Sequence, residues 1–466
     1  MGRTAANDTS LARRLAISAD TIRRPARAHL DWLADRCRRR PFVVTEVPFA
    51  RLDGWGFAPE ADHLVHRTGR FFSIEGIHVR TDYGPTREWS QPIIKQPEGA
   101  IMGIIVKEID GVLCFLMQSK MEPGNLTVAQ ISPTVQATPS NYLRVHSGGS
   151  SRYLEYFTDP GLSTVHFDVL QSEQGSWFRG KRNRNIVVEV TGEIEPHEDF
   201  AWLTLGEIFE LLYCPNIVNM DARSTLSCLP LPAPAACDPF REAVRRSVAG
   251  GPPLHPMGEV RRWFNNRKVA YQAEVTPVPL SSMAGWHRTD TEIHHEQRKF
   301  FRVIGIRAQA SNREVASWCQ PLLAPKGVGL TALFVRSIGG VAHVLVRLDV
   351  RPGYRDVAEI GPTVQCTPGN YRDVPGRQRP AFLDLLLSEA VRVRYDIQQS
   401  EEGGRFQRAL TRHVIAELPD DFPLALPPDF AWLTVAQLKE LARESYQVNV
   451  EARSLALCLH SLSRRP

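Results

Sequence analysis

The chemistry-bearing residues of this chain gather in a few short stretches. "QSEQGSWFRGKRNRN" (171–185) sets a carboxylate, Glu173, ahead of an aromatic, Trp177, and a basic group of Arg179, Lys181, Arg182 and Arg184. A carboxylate can move a proton, Arg and Lys grip a diphosphate through charge-assisted hydrogen bonds, and an indole stacks on a flat base. A solvated basic turn would carry the same letters. "ISPTVQATPSNY" (131–142) offers Gln136, Thr138, Asn141 and Tyr142 between Pro133 and Pro139. Each proline removes a backbone donor, so the run is no central strand, and its polar groups either line a small-molecule pocket or satisfy backbone at a buried corner. "SKMEPGN" adds Glu122. His66 has a side chain whose ordinary pKa suits a general base, although a hydrogen-bonded structural role is the commoner use of a lone histidine.

These stretches occur twice. "ISPTVQATPSNY" returns as "IGPTVQCTPGNY" at 360–371, identical at nine of twelve positions. His66 to Tyr142 aligns without a gap on His295 to Tyr371, so that "EWSQP" faces "SWCQP" and Glu122 faces Arg351. Downstream, "QSEQGSWF" faces "QSEEGGRF", "DFAWLTL" faces "DFAWLTV" and "NMDARS" faces "NVEARS". Order and spacing persist over about two hundred residues, which marks a duplicated domain and not a solenoid. The second copy keeps Glu401, Arg405, Arg408 and Arg412 but turns "KRNRN" into "ALTRH".

The elements that must position these residues read as α+β. "ARAHLDWLADRCRRR" has helical spacing, and short β-type runs follow, including "PFVVTEV", "IMGIIVKEI", "VLCFLMQS" and "IVVEVTG". "WLTLGEIFELL" reads as a helix capped by Thr204 with Glu207 completing a capping box, and Thr434 with Gln437 repeats it. Proline- and glycine-rich breakers flank "FREAVRRSV". The expected organisation is an N-terminal extension (1–24), a first repeat (25–228), a linker (229–256) and a second repeat (257–466).

Composition bounds the function. Of 466 residues, 43% are hydrophobic and 23% charged, as in a soluble globular protein, and no apolar run reaches the roughly 18–20 residues of a membrane span. The first twenty residues lack the apolar block of a secretory signal, so a cytoplasmic location is expected. Eight cysteines without a CxxC pair predict buried free thiols. A net charge of +5 permits an anionic ligand, but no reading helix or aromatic platform for nucleic acid is evident. There is no GxGxxG turn, Walker loop, HExxH or GxSxG.

Taken together, "GWGFAPEADHLVHRTGRFFSIEGIHVRT", "EWSQPII", "KMEPGN", "ISPTVQATPSNYLRVHSG", "YLEYF" and "QSEQGSWFRGKRNRN" resemble the nucleoside-diphosphate-hexose 2,3-dehydratases of deoxysugar biosynthesis. The resemblance implies two tandem, duplicated Nudix-like domains with mixed and antiparallel sheets and flanking helices, assembled as a homodimer. It implies dTDP-4-keto-6-deoxy-D-glucose as substrate, a downstream 3-ketoreductase as functional partner, and neither cofactor nor metal. The carboxylate-rich helix of a metal-dependent Nudix hydrolase has no counterpart here. A nucleotide-sugar binding protein without turnover is the alternative.

On that reading His66, Glu122 or Glu173 is the base, and Tyr142 is the acid or oxyanion donor beside Asn141 and Gln136. Trp89 or Trp177 stacks on thymine or sugar, Lys181, Arg182 and Arg184 take the diphosphate, and Arg223 is a further anion contact. The second-repeat counterparts and candidates are His295, Trp318, Gln365, Asn370, Tyr371, Glu401, Arg405 and Arg453. Glu122 and "KRNRN" favour the first repeat as the active one.

Overall fold

The structure, a computed structural model, describes residues 2–139, 151–310, 315–388 and 390–464. Two seven-stranded sheets carry the chain's two halves, and they have the same strand order. The first runs Thr164–Ser172, Arg182–Glu189, Ile101–Ile109, Val112–Met121, Phe200–Thr204, with Ala129–Ser132 and Val135–Ala137 paired at the side. The second runs Arg392–Ser400, Leu410–Glu417, Gly329–Ile338, Val341–Val350, Phe430–Thr434, with Ala358–Pro362 and Val364–Cys366 in the matching places. Each sheet has one parallel pairing, 182–189 on 101–109 and 410–417 on 329–338, in an otherwise antiparallel ladder. The duplication read from the sequence is thus a duplication of topology.

Local sequence chemistry sets the helices. Helix Leu205–Leu211 begins at Thr204, whose side chain accepts from the Glu207 backbone N–H while the Glu207 carboxylate reaches back to the cap, and Thr434 and Gln437 do the same for Val435–Ala442. Leu205, Ile208, Phe209 and Leu212 all enter the first core. At about 1.5–3 kcal/mol for each large apolar side chain buried, that face outweighs the modest propensity of a seven-residue helix. Asn219 and Asn449 cap the helices Met220–Leu226 and Val450–His460, each accepting from the backbone N–H three residues on. Among the described residues no helix is long and apolar enough to cross a membrane.

The segments expected to be extension and linker contain paired helices. Gly2–Asp20 sends Leu11, Leu15 and Ala19 into the first core, and Pro239–Val248 sends Phe240, Ala243 and Val244 into the second. Ser18 donates to the Leu113 carbonyl and accepts from the Leu205 N–H; Ser247 donates to the Ala342 carbonyl and accepts from the Val435 N–H. The structural repeat therefore reaches back into both segments, where sequence identity has faded but the core-facing positions have kept their apolar character.

Two five-stranded sheets complete the molecule, and each contains a strand from the other half. Phe42–Val47 pairs antiparallel with Phe301–Ala310, while Ala273–Val278 pairs with Ser73–Thr81. This reciprocal exchange ties the halves together through backbone hydrogen bonds, and one apolar cluster spans both: Phe49, Leu52, Phe72, Ile94 and Phe178 pack with Leu280, Trp286, Phe301 and Phe406.

Candidate functional site

The loops that close the two large sheets interlock. "MEPGN" (121–125) of the first half meets "SEEGGRF" (400–406) of the second: the Gly124 N–H donates to the Gly403 carbonyl at 2.7 Å, and the Arg408 N–H donates to the Gly124 carbonyl at 2.7 Å. A Cβ at Gly124 would lie 1.7 Å from the Phe406 carbonyl oxygen, so only glycine permits this approach. Gly353 makes the matching contacts with Gly175 and Gly180. Each pocket therefore has walls from both halves.

In the first pocket Glu122, Glu173 and Asp221 are buried together with Lys120, Lys181 and Asn183. Glu122 accepts from Lys120 at 3.4 Å and from the Gln136 amide at 3.3 Å, and the same amide donates to Asp221 at 2.5 Å. Glu173 accepts from Asn183, whose Oδ1 in turn receives Lys181 Nζ at 3.1 Å; Lys181 also donates to the Glu98 carbonyl. The second half adds Glu402 and Arg405. Arg405 donates to Gln96 at 3.2 Å and lies over the Phe72 ring at 4.2 Å.

Burial raises the pKa of Glu173 against the pull of Lys181, and raises Asp221 well above the carboxylate range, with Glu173, Glu402 and Glu122 adding to it. Burial pushes Glu402 up to about 7 and pulls Lys181 down. Glu173 is only 4% exposed, yet among the described residues its Oε2 has no hydrogen-bond partner, nor do Glu402 Oε2 and Gln136 Oε1. Each buried acceptor left unmatched costs about 1–3 kcal/mol. Three in one place make a site that awaits donors or a proton.

The second pocket closes the centre of this arrangement with an arginine, yet Glu359 Oε1 and Glu451 Oε2 there are also buried with no hydrogen-bond partner among the described residues. Asp349 stands in place of Lys120 and Arg351 in place of Glu122, and Arg351 Nε meets both Asp349 oxygens at 2.9 and 3.0 Å. Arg347, Tyr354 and Asn449 also donate to Asp349. Burial would raise Asp349, but Arg351 and Arg347 overcome it and hold the group at about 2. Glu401, the counterpart of Glu173, has both oxygens satisfied, by Thr411 at 2.6 Å and Gln174 at 2.8 Å. Burial still raises Glu451 to about 8 and Glu359 to about 7.

The other sequence candidates are placed as follows. His66 is half-buried in the first small sheet, bonded to Thr68 at 2.7 Å with its ring against Trp55 and Phe71; burial lowers its pKa. Trp55 and Phe72 lie between it and Arg405. His295 repeats this setting with Trp286 and Phe300. Trp89 donates to Gln91, whose amide donates to the Ser176 carbonyl; Trp318 donates to Gln320, which donates to the Gly404 carbonyl. The repeated "W.QP" motif thus steadies the carboxylate-bearing loops.

Trp177 packs against Phe406 with the rings tilted and their centroids 4.5 Å apart. Arg184 is engaged by Asp168 at 2.8 and 2.6 Å, while Arg182 is exposed; both border a groove of about 460 Å³ with Ile101, Tyr156 and Phe157. Arg223 is fully buried and donates to the Val218 and Ser400 carbonyls, and Arg453 donates to those of Val448 and Ser172. These two arginines join the halves. Gln365 accepts from Asn449 at 3.1 Å; Asn370 and Tyr371 lie in a short 3-10 turn, where burial raises the phenol. Asn141 and Tyr142 lie outside the described residues.

Sequence reasoning passed over Lys120, Asn183, Asp221 and Glu402. The signals were present: an acid aligned in both copies at 221 and 451, and the doubled acid in "SEEGG" where the first copy has "SEQGS".

Comparison with known proteins agrees with the duplicated site. The chain is 50% identical over 439 residues to the dTDP-4-dehydro-6-deoxy-alpha-D-glucopyranose 2,3-dehydratase of Saccharopolyspora spinosa, covering 92% of this chain and 90% of that protein. Proteins of the same description from Amycolatopsis orientalis (44% over 441 residues, covering 93% and 90%) and Streptomyces violaceoruber (46% over 436 residues, covering 92% and 96%) are similar throughout. The family pattern for NDP-hexose 2,3-dehydratase matches twice, over residues 26–229 and 257–459, once for each pocket-bearing half. This chain belongs to the NDP-hexose 2,3-dehydratase family.

Proposed function

We propose that the protein dehydrates dTDP-4-dehydro-6-deoxy-D-glucose across carbons 2 and 3, and that the first pocket performs the reaction. The 4-ketone acidifies the carbon 3 proton, so a carboxylate can remove it to leave an enolate. Expulsion of the 2-hydroxyl then gives a 2,3-enol, which tautomerises to the 3,4-diketo-2,6-dideoxy sugar. Among the candidate bases Glu173 fits best. A carbon acid is a weak hydrogen-bond donor, and a base that serves it needs an acceptor not already occupied. The buried Oε2 of Glu173, unpartnered among the described residues, is the observation that carries this reading.

The surrounding groups have complementary tasks. Lys181 and Asn183 fix the other side of the Glu173 carboxylate, and Lys120 and Gln136 orient Glu122 toward the sugar hydroxyls. One preorganised donor to the enolate oxygen can supply about 3–4 kcal/mol; Tyr142 and Asn141 are assigned there. Arg182, exposed on the groove rim, suits the diphosphate. The protein works as a homodimer in the cytoplasm and hands its reactive diketone to a 3-ketoreductase.

The test is incubation with the substrate deuterated at carbon 3, with a 3-ketoreductase to trap the product. Loss of water and of deuterium from carbon 3 is expected, the label passing to carbon 2 or to solvent. Folded protein that binds dTDP and leaves both deuterium and substrate untouched would establish the non-catalytic binding role instead.

A further inference from the structure

An elimination needs an acid as well as a base, because hydroxide is a poor leaving group. The acid calls for a second carboxylate beside Glu173; in the first half Glu122 Oε1 is held by Lys120 and Gln136, and Asp221 Oδ2 by Gln136. The second half brings one. Glu402 arrives on the loop locked to Gly124, and its Oε2 is buried with no partner among the described residues. A Cβ built on Gly404 would lie 2.6 Å from Glu402 Oε1 and 3.6 Å from Glu122 Oε1, so both carboxylates border the same space.

The charged groups acting on Glu402 include Arg405 on its own loop and Glu173, Glu122, Lys181 and Asp221 from the facing half. In the second pocket the corresponding position is Gln174, which cannot yield a proton at neutral pH and instead donates to Glu401.

We propose that Glu402, contributed by the second half, is the general acid of the first-half active site. The inference rests on the dehydratase reading and on Glu173 as base. Glu173 takes the proton from carbon 3, and the electron pair of that bond delocalises into the 4-ketone as an enolate. The enolate re-forms the ketone and drives the carbon 2–oxygen bond to break as carbon 2 and carbon 3 become doubly bonded. Glu402 gives its proton to the departing oxygen, and water leaves. Tautomerisation restores both groups: the 3-hydroxyl proton of the enol passes to Glu402, and Glu173 delivers its proton to carbon 2. No oxidant or metal enters the balance.

Glu402→Gln separates the two proton transfers. Water loss should fall at least 100-fold, while dTDP binding stays within twofold and carbon 3 deuterium still washes out into solvent, because the base is intact. Undiminished water loss would overturn the assignment, as would parallel loss of exchange and elimination with binding preserved. If the glutamine variant does not fold, Glu402→Asp, one methylene shorter, takes its place: slow elimination with retained exchange supports the proposal, and wild-type elimination overturns it. Failure of the wild-type protein to exchange or dehydrate would sink the dehydratase reading itself and is thereby told apart.

Discussion

The two pockets share one topology and one ancestor, yet they handle the charge at their centres differently. In the second, Arg351 replaces a glutamate and clasps Asp349, while Thr411 and Gln174 fill both oxygens of Glu401. In the first, Glu173 Oε2 and Glu402 Oε2 have no hydrogen-bond partner among the described residues, and in the second the same holds for Glu359 Oε1 and Glu451 Oε2. The difference therefore lies at the paired positions 122/351 and 173/401: where arginine and matched donors meet the carboxylates the interior is stabilised, and where an acceptor is left waiting stability is given up. Glu451 and Glu359, both raised by burial, remain in the second pocket as carboxylates around a centre now closed by arginine.

The sharpest way to break this comparison is to change the two corresponding glutamates. Glu173→Gln should lower kcat by at least about 1,000-fold, roughly 4 kcal/mol of transition-state stabilisation. Glu401→Gln should leave kcat within about threefold. Equal losses in steady-state assays would mean that both pockets, or neither, perform the reaction.

A smaller effect concerns stability and its dependence on pH. Burial raises Glu402 to about 7 from 4.5, so the folded state binds this proton more tightly than the unfolded state does. That group costs nothing below about pH 4.5, and its penalty grows as pH climbs to about 7 and is complete above it, at most about 3 kcal/mol. Glu402→Gln should therefore unfold at a higher temperature than wild type at pH 8 and show little difference at pH 5. Thermal denaturation at the two pH values checks the sign, and a destabilised glutamine variant at pH 8 would contradict it.

The smallest effect expected is at the tyrosines. Tyr142→Phe should slow turnover about tenfold, near 1.4 kcal/mol, by removing one enolate donor, whereas Tyr371→Phe should change it less than twofold. Losses of the same size would remove Tyr142 from the active side of the comparison.

Much of this was legible in the sequence because it is local. The capping boxes at Thr204 and Thr434 need only four neighbouring residues, and the duplication needs only that the copies retain their letters. The exchange of Phe42–Val47 and Ala273–Val278 was not legible. A strand's alternation says which face is buried but not which of two similar sheets it joins. Glu122 and Glu173 were found because acids in polar loops stand out. Glu402 was hidden because alignment of the repeats assigns it to the second half, whereas the interlocked glycines deliver it to the first. Arg223 and Arg453 were read as anion contacts from their charge alone, but both are buried ties between the halves.

The strand exchange bears on how the molecule is made and kept. During synthesis the sheet built on Ser73–Thr81 lacks an edge until Ala273–Val278 has left the ribosome, and Phe42–Val47 must wait longer still for Phe301–Ala310. Such distant pairings slow folding and leave a β-edge open to association in the interval. They also make the arrangement hard to simplify. Whatever chemistry either pocket performs, deleting one half would strip a strand from a sheet of the other.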